Sequence, residues 1–249
     1  MLLVIDVGNT NIVFAVHRYG AFLPFWRLET SIKRSEDEYR DFLLPLLSNL
    51  EEEVSAVIVS SVVPSVNEGL AQFCRANLGC EAVFAGIENV GIDVDLDRPE
   101  EAGADRLVNA VAVRAEYQVP AIVIDFGTAT TFDVIDEAGV YRGGAIAPGV
   151  NLSIEVLHRA AAQLPNVRVA KPQGAIGTNT EAAIQSGAYY GYLGLIEGII
   201  ARIAQELGCP PYVIATGGLA HLFAGGTDMI DHVDDMLTLK GLLYLHKTM

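Results

Sequence analysis

The chain has 249 residues, 51% of them hydrophobic, and a formal net charge of −15. A surface this acidic repels nucleic acid and anionic membranes, so neither is expected as a partner, and any polyphosphate it binds must arrive with cations or meet a locally positive site. Three cysteines (Cys74, Cys80, Cys209), odd in number and without a C-x-x-C pair, exclude a disulfide frame and a zinc site and fit a reducing compartment.

Residues 2–7, 11–17 and 22–30 read as three strands, apolar or alternating in pattern. The start of the chain has no basic leader and reaches Asp6 early, so no signal peptide is expected and the cytoplasm is the expected location. Ser35-Glu36-Asp37-Glu38 is an N-cap followed by an acidic first turn. Tyr39, Phe42, Leu43, Leu46, Leu47 and Leu50 then recur at helical spacing. Residues 54–63 form a Val-rich buried strand, and Pro64 opens a helix with Leu70, Phe73 and Cys74 on one face. A strand at 81–84, a loop over 86–102 and a helix over 104–117 complete a βββαβαβα order. Strands at 121–126, 130–136 and 139–147 open a second such series. Helices at 151–162 and 179–207, a strand at 212–215 and helices at 218–224 and 236–246 finish it, with a loop inserted at 163–177. The most apolar long stretch, 187–204, contains Glu197 and Arg202, so it reads as a buried helix and not as a membrane span. Two domains are expected, 1–118 and 119–249, joined without a flexible linker.

The feature that points to chemistry is a repeat. Ile5-Asp6-Val7-Gly8-Asn9-Thr10 returns as Ile124-Asp125-Phe126-Gly127-Thr128-Ala129-Thr130, each copy between two β-rich runs. A hairpin whose turn carries Asp, Gly and hydroxyl or amide side chains can grip phosphate: Gly8 admits the oxygens, and backbone N–H groups, Asn9 and Thr10 donate to them. Asp6 can hold Mg²⁺, which takes few carboxylates and keeps its waters. In the second copy Thr128 is placed for the terminal phosphates. The plain alternatives are an ordinary hairpin turn and an aspartate capping its own turn. Gly103-Ala104-Asp105-Arg106 opens a helix, where N–H groups bind anions and the Arg106 fork suits a carboxylate; an acid in a first turn also simply matches the helix dipole. Gly217 and Gly218, between strand and helix, leave bare backbone for a flat adenine or ribose, or form a plain turn. Gly187, Gly191, Gly194 and Gly198 make a small-residue stripe beside Tyr189, Tyr190 and Tyr192, a candidate helix contact. The five histidines show no ligand spacing, and 158–172 is locally basic.

Six motifs in order resemble the type III pantothenate kinase family. They are Asp6–Asn11, Gly103–Arg106, Asp125–Thr131, Gly143–Gly149, Gly177–Thr180 and Ala215–Leu219. The resemblance implies an α/β fold: duplicated ribonuclease H-like βββαβαβα halves of the actin and sugar kinase superfamily with a cleft between them. It implies ATP-dependent phosphorylation of pantothenate, the entry to coenzyme A. By the same resemblance Asp6, Val7, Gly8, Asn9, Thr10, Asn11, Ile12, Val13, Thr128, Gly217 and Gly218 bind ATP. Gly103, Ala104, Asp105, Arg106 and Thr180 bind pantothenate, and Asp105 is the general base. Asp125 holds a monovalent cation, K⁺ or NH₄⁺, beside Mg²⁺. A homodimer with the site near the subunit interface is implied too, with Thr180 reaching the partner's site. Many relatives carry Tyr before Gly-Ala-Asp-Arg where this chain has Leu96. The rival readings are another phosphotransferase or phosphohydrolase of the superfamily and a non-enzymatic factor in gene regulation.

Overall fold

The computed structural model describes residues 1–50, 52–161 and 163–249. The first sheet is built on β1 (Leu2–Val7), whose residues Leu2 to Ile5 are all buried. That near-continuous apolar run is what a central strand covered on both faces requires. β2 (Asn11–Arg18) returns antiparallel to β1, and β5 (Ala56–Ser61) lies parallel on its other side. The strand expected over 22–30 divides into β3 (Ala21–Phe22) and β4 (Trp26–Glu29), both pairing β2. Pro24 stands between them and has no N–H for a ladder. With β6 (Ala82–Phe84) the order is β3-β2-β1-β5-β6.

One face of this sheet carries Leu3, Ile5, Val7, Ile12 and Phe14. It packs on α1 (Glu36–Leu47) and α2 (Pro64–Phe73) through Tyr39, Leu43, Leu70 and Phe73. Full burial of each such side chain contributes roughly 1.5–3 kcal/mol. Ser35 and Glu38 close a reciprocal capping box on α1. α2 runs on into a π-helical turn, Cys74–Leu78, stopped by Gly79 at φ +66°. The opposite face receives α3 (Ala104–Glu116) and α7 (Leu237–Thr248), which pack on β1, β5 and each other. A Cβ on Gly241 of α7 would lie 2.1 Å from the Val108 carbonyl oxygen, so the two helices meet backbone to backbone at that glycine.

The second sheet repeats the plan. β7 (Ala121–Phe126) is central, β8 (Ala129–Ile135) and β9 (Tyr141–Pro148) follow antiparallel, and β10 (Tyr212–Gly217) and β11 (His232–Val233) lie parallel on the other side. The order β11-β10-β7-β8-β9 follows that of the first sheet, with β9 in the place beside the second strand that β3 and β4 share there. Ile122, Ile124, Phe126 and Phe132 pack on α4 (Val150–Ala160), α5 (Thr180–Leu207) and α6 (Ala220–Ala224). The helix expected over 151–162 ends at Ala160, and Ala162 lies outside the described residues. No described helix is long and apolar enough to cross a membrane.

By contacts the chain forms two compact units. One comprises Met1–Ile92, Asp97–Glu116 and Leu237–Met249; the other comprises Asp93–Leu96 and Tyr117–Met236. The loop expected over 86–102 is thus shared. Val94 bridges Tyr141 of the second unit, with Tyr141 N–H donating to Asp93 O and Asp95 N–H to Tyr141 O, both at 2.9 Å.

Candidate active site

The first hairpin turns over Gly8, Asn9 and Thr10. Gly8 N–H donates to Asn11 O at 3.0 Å, and Val62 N–H donates to Val7 O at 3.1 Å. Thr30, next after β4, clamps the turn: its hydroxyl donates to Gly8 O at 2.7 Å and its N–H to Thr10 O at 2.9 Å. Asn9, Thr10 and Asn11 remain exposed. A Cβ on Gly8 would sit 3.2 Å from Asn11 O, so this glycine serves the tightness of the turn as well as open approach.

Asp6 lies at the end of β1 on the face that receives α3. Its carboxyl is pushed up to about 7, first by burial and then by the charge of Asp105; Ser60 and Arg27 pull the other way. The structure therefore brings together two carboxylates the sequence had only in separate motifs. Asp105 stands in the first turn of α3 and its Oδ1 accepts from Arg106 N–H at 2.8 Å. A Cβ on Gly103 would fall 2.6 Å from that same oxygen, so Gly103 makes room for the carboxylate to fold back over the helix start. Beside it is a cavity of about 450 Å³, lined among others by Ser61, Pro64, Gly86, Glu88, Gly103 and Ala104. Ser60 belongs to none of the sequence motifs. It is fully buried, pairs with Asp6 in the β1–β5 register, and its hydroxyl makes no hydrogen bond of good geometry while lying near enough to stabilise the Asp6 carboxylate.

The second hairpin turns over Gly127 and Thr128, with Gly127 N–H donating to Ala129 O at 3.0 Å. Two glycine segments close on it. Gly149, the N-cap of α4, donates to Thr128 O at 3.1 Å, and a Cβ there would be 2.3 Å from that oxygen. Gly217, at φ +88°, would place a Cβ 2.7 Å from Asp125 Oδ1, whereas Gly218 faces open space. Asp125 and Thr216 pair in the β7–β10 register, and Thr216 is buried. The arrangement Asp6–Ser60 thus recurs as Asp125–Thr216: an aspartate at a strand end with a buried hydroxyl beside it on the parallel strand. The repeat itself was the signal from which Ser60 could have been found.

Other expected residues lie differently. Thr180 is the first residue of α5 and exposed, but Asn179 is the cap, its side chain accepting from Ala182 N–H at 2.8 Å. Leu96 packs against Gly143 in the second unit. Of the three tyrosines beside the glycine stripe only Tyr190 is exposed; Tyr189 and Tyr192 are buried in the second core. Among the described residues no three His, Cys, Asp or Glu side chains cluster as a metal-ligand set.

Residues 2–202 match the sequence model of the type III pantothenate kinase family. The chain belongs to this family. Among its relatives, the type III pantothenate kinase of Paramagnetospirillum magneticum is 52% identical, with 99% of this chain and 97% of that protein covered. That of Rhodospirillum rubrum is 53% identical, covering 99% and 98%. Solved structures share the fold. A Campylobacter jejuni protein described as a candidate Baf family transcriptional activator superposes with a TM-score of 0.65 at 20% identity, covering 99% of this chain and 98% of that one. A candidate 2-dehydro-3-deoxygalactonokinase from Sinorhizobium meliloti superposes with 0.57 at 14% identity, covering 100% and 97%. These likenesses bear on the fold alone: an α/β fold with two sheets of like strand order, shared with these proteins.

Proposed function

We propose that the chain phosphorylates pantothenate with ATP, and that Asp105 is its general base. Family membership carries the activity. The mechanism rests on one observation, the pairing of Asp105 with Asp6 beside an exposed phosphate-type turn. Two carboxylates this close disfavour joint ionisation unless a cation lies between them and the phosphates. The donor chemistry therefore fits Mg²⁺, which when bound would neutralise phosphate charge. Asp6 would hold it, and the backbone of Gly8 to Asn11 would take the ATP phosphates.

Pantothenate then anchors its carboxylate at Arg106 and presents its primary hydroxyl to Asp105. The hydroxyl oxygen attacks the γ-phosphorus in line, the bond to the β,γ-bridging oxygen breaks, ADP leaves with the electron pair, and the hydroxyl proton passes to Asp105. Asp125 would hold K⁺ or NH₄⁺, with Thr128 on the terminal phosphates and Gly217 and Gly218 along the nucleoside. The open space over Gly218 supports the last assignment, while the crowding at Gly217 gives that residue a structural duty as well.

A homodimer through α5 belongs to the same reading. Gly187, Gly191 and Gly194 are exposed with nothing near their missing Cβ atoms, and Tyr190 is exposed between them. Sedimentation equilibrium showing only monomer at micromolar concentration would remove it. The decisive experiment is ADP release from ATP and Mg²⁺ with and without pantothenate, in K⁺ and in Na⁺. Turnover that requires pantothenate and K⁺ supports acceptor and cation site together. Turnover indifferent to pantothenate refutes the acceptor, and equal rates in Na⁺ refute the cation site.

A further inference from the structure

A single row of side chains crosses four strands of the first sheet. Arg27 on β4 pairs with Val13 on β2, Val13 with Asp6 on β1, and Asp6 with Ser60 on β5. Register partners present their side chains on one face. Here it is the face opposite the Leu3, Ile5 and Phe14 core, the one that receives α3 with Asp105. Strands lie about 4.8 Å apart, so Arg27 and Asp6, two strands apart, stand roughly 10 Å from each other at Cα. An arginine side chain and a phosphate oxygen together bridge that gap. The Arg27 charge already acts on Asp6.

The second sheet supplies an internal control. Its matching row is Ile146, Thr131, Asp125 and Thr216. The two rows agree at the aspartate and at the buried hydroxyl, and differ at the next strand, Val13 against Thr131, and at the end, Arg27 against Ile146. Neither hairpin, Asp6–Val13 nor Asp125–Phe132, contains a lysine or arginine. Arg27 is thus the cation that these two rows offer, and it stands in the row that has Asp105 alongside.

Arg27 is also uncommitted. The chain has 31 acidic residues against 16 basic ones. Yet the contact recorded for the exposed Arg27 guanidinium is the ring of Phe25, 5.4 Å from the centroid, and among the described residues it joins no ion pair. An arginine held on an aromatic face, on the same row as Asp6 and in no ion pair among the described residues, is available to an anion from outside. Its planar fork suits a phosphoryl group.

We propose that Arg27 is a substrate-contacting residue that binds the phosphoryl group transferred from ATP. It would offset the charge developing on the equatorial oxygens while Asp105 takes the proton. This rests on the kinase reading above, and the test separates the two. Arg27→Gln and Arg27→Lys are compared with wild type in steady-state kinetics, in thermal melts, and in calorimetric binding of the non-hydrolysable analogue AMP-PNP. Removing one such donor typically lowers kcat by about 10²-fold. The expected result for Arg27→Gln is a loss of that order in kcat with pantothenate KM unchanged and analogue binding at least about fivefold weaker. Arg27→Lys should restore part of it. Analogue binding and kcat within about twofold of wild type in Arg27→Gln would overturn the proposal. So would losses in both variants that follow a falling melting temperature, which would make Arg27 only a partner for Phe25. If wild type does not turn over pantothenate, the acceptor reading fails, while analogue binding still decides the role of Arg27.

Discussion

Asp6→Asn should make the metal-free protein more stable while removing its activity. In the folded chain the Asp6 carboxyl rises from 3.8 to about 7, chiefly through burial and the Asp105 charge. The native state therefore binds the proton more tightly than the unfolded chain does. Stability falls as pH rises through this window, untouched below about 4 and fully reduced above about 7. At about 1.4 kcal/mol per pH unit the upper bound is about 4 kcal/mol. Half of that, about 2 kcal/mol, shifts the melting temperature of a chain this size by roughly 4–8 °C. The assay is thermal melting of wild type and Asp6→Asn in EDTA at pH 5 and pH 8. The wild-type-minus-variant difference isolates Asp6 from every other titrating group. The variant should melt higher at pH 8, and the gap should narrow to less than half at about pH 5, closing only below about pH 4. Equal melting at pH 8, or a gap independent of pH, would refute the claim that Asp6 and Asp105 are held in opposition.

Arg106→Ala should raise the pantothenate KM at least tenfold and leave the ATP KM within about twofold, since a charged hydrogen bond to a carboxylate contributes roughly 1.5–3 kcal/mol; initial rates with each substrate varied in turn would show it. Ser60→Ala should raise the Mg²⁺ concentration needed for half-maximal stabilisation of the ADP complex, read by thermal shift, with pantothenate KM unchanged; an unchanged Mg²⁺ response would leave Ser60 as core packing only. Gly149→Ala drives a Cβ to 2.3 Å from Thr128 O, so either α4 or the second turn must shift. We expect a melting temperature lower by several degrees together with weaker ATP binding, and a variant matching wild type in both would contradict the geometry.

Local chemistry made the hairpins legible. An Asp-x-Gly turn between two apolar runs needs no distant partner to be recognised, and β1 and β7 fall at the expected residues. Boundaries that depend on one residue type were readable in principle, as with Pro24 dividing β3 from β4. What escaped was set by register. Ser60 reads as the polar end of a Val-rich strand until the sheet puts it beside Asp6. Arg27 reads as a surface charge until two ladders carry it onto the same row. β11 is two residues long and exists only because β10 offers it an edge. The cap of α5 is likewise a matter of one residue: the side-chain oxygen of Asn179, not the Thr180 hydroxyl, reaches the helix N–H.

The packing of α7 bears on the order in which the chain can fold. Its Leu237, Leu239, Leu242 and Leu245 are buried, and its Gly241 meets Val108 of α3, in the unit that also contains β1. Residues 117–236, by contrast, build the second sheet and its helices almost without help from elsewhere. During synthesis that second body can therefore close while the first still lacks a helix. Until residues 237–248 are added, the Asp6 face of the first sheet has α3 but lacks the helix that packs on β1. The unit that presents Asp6 and Asp105 is thus closed by a helix that follows the whole second unit along the chain.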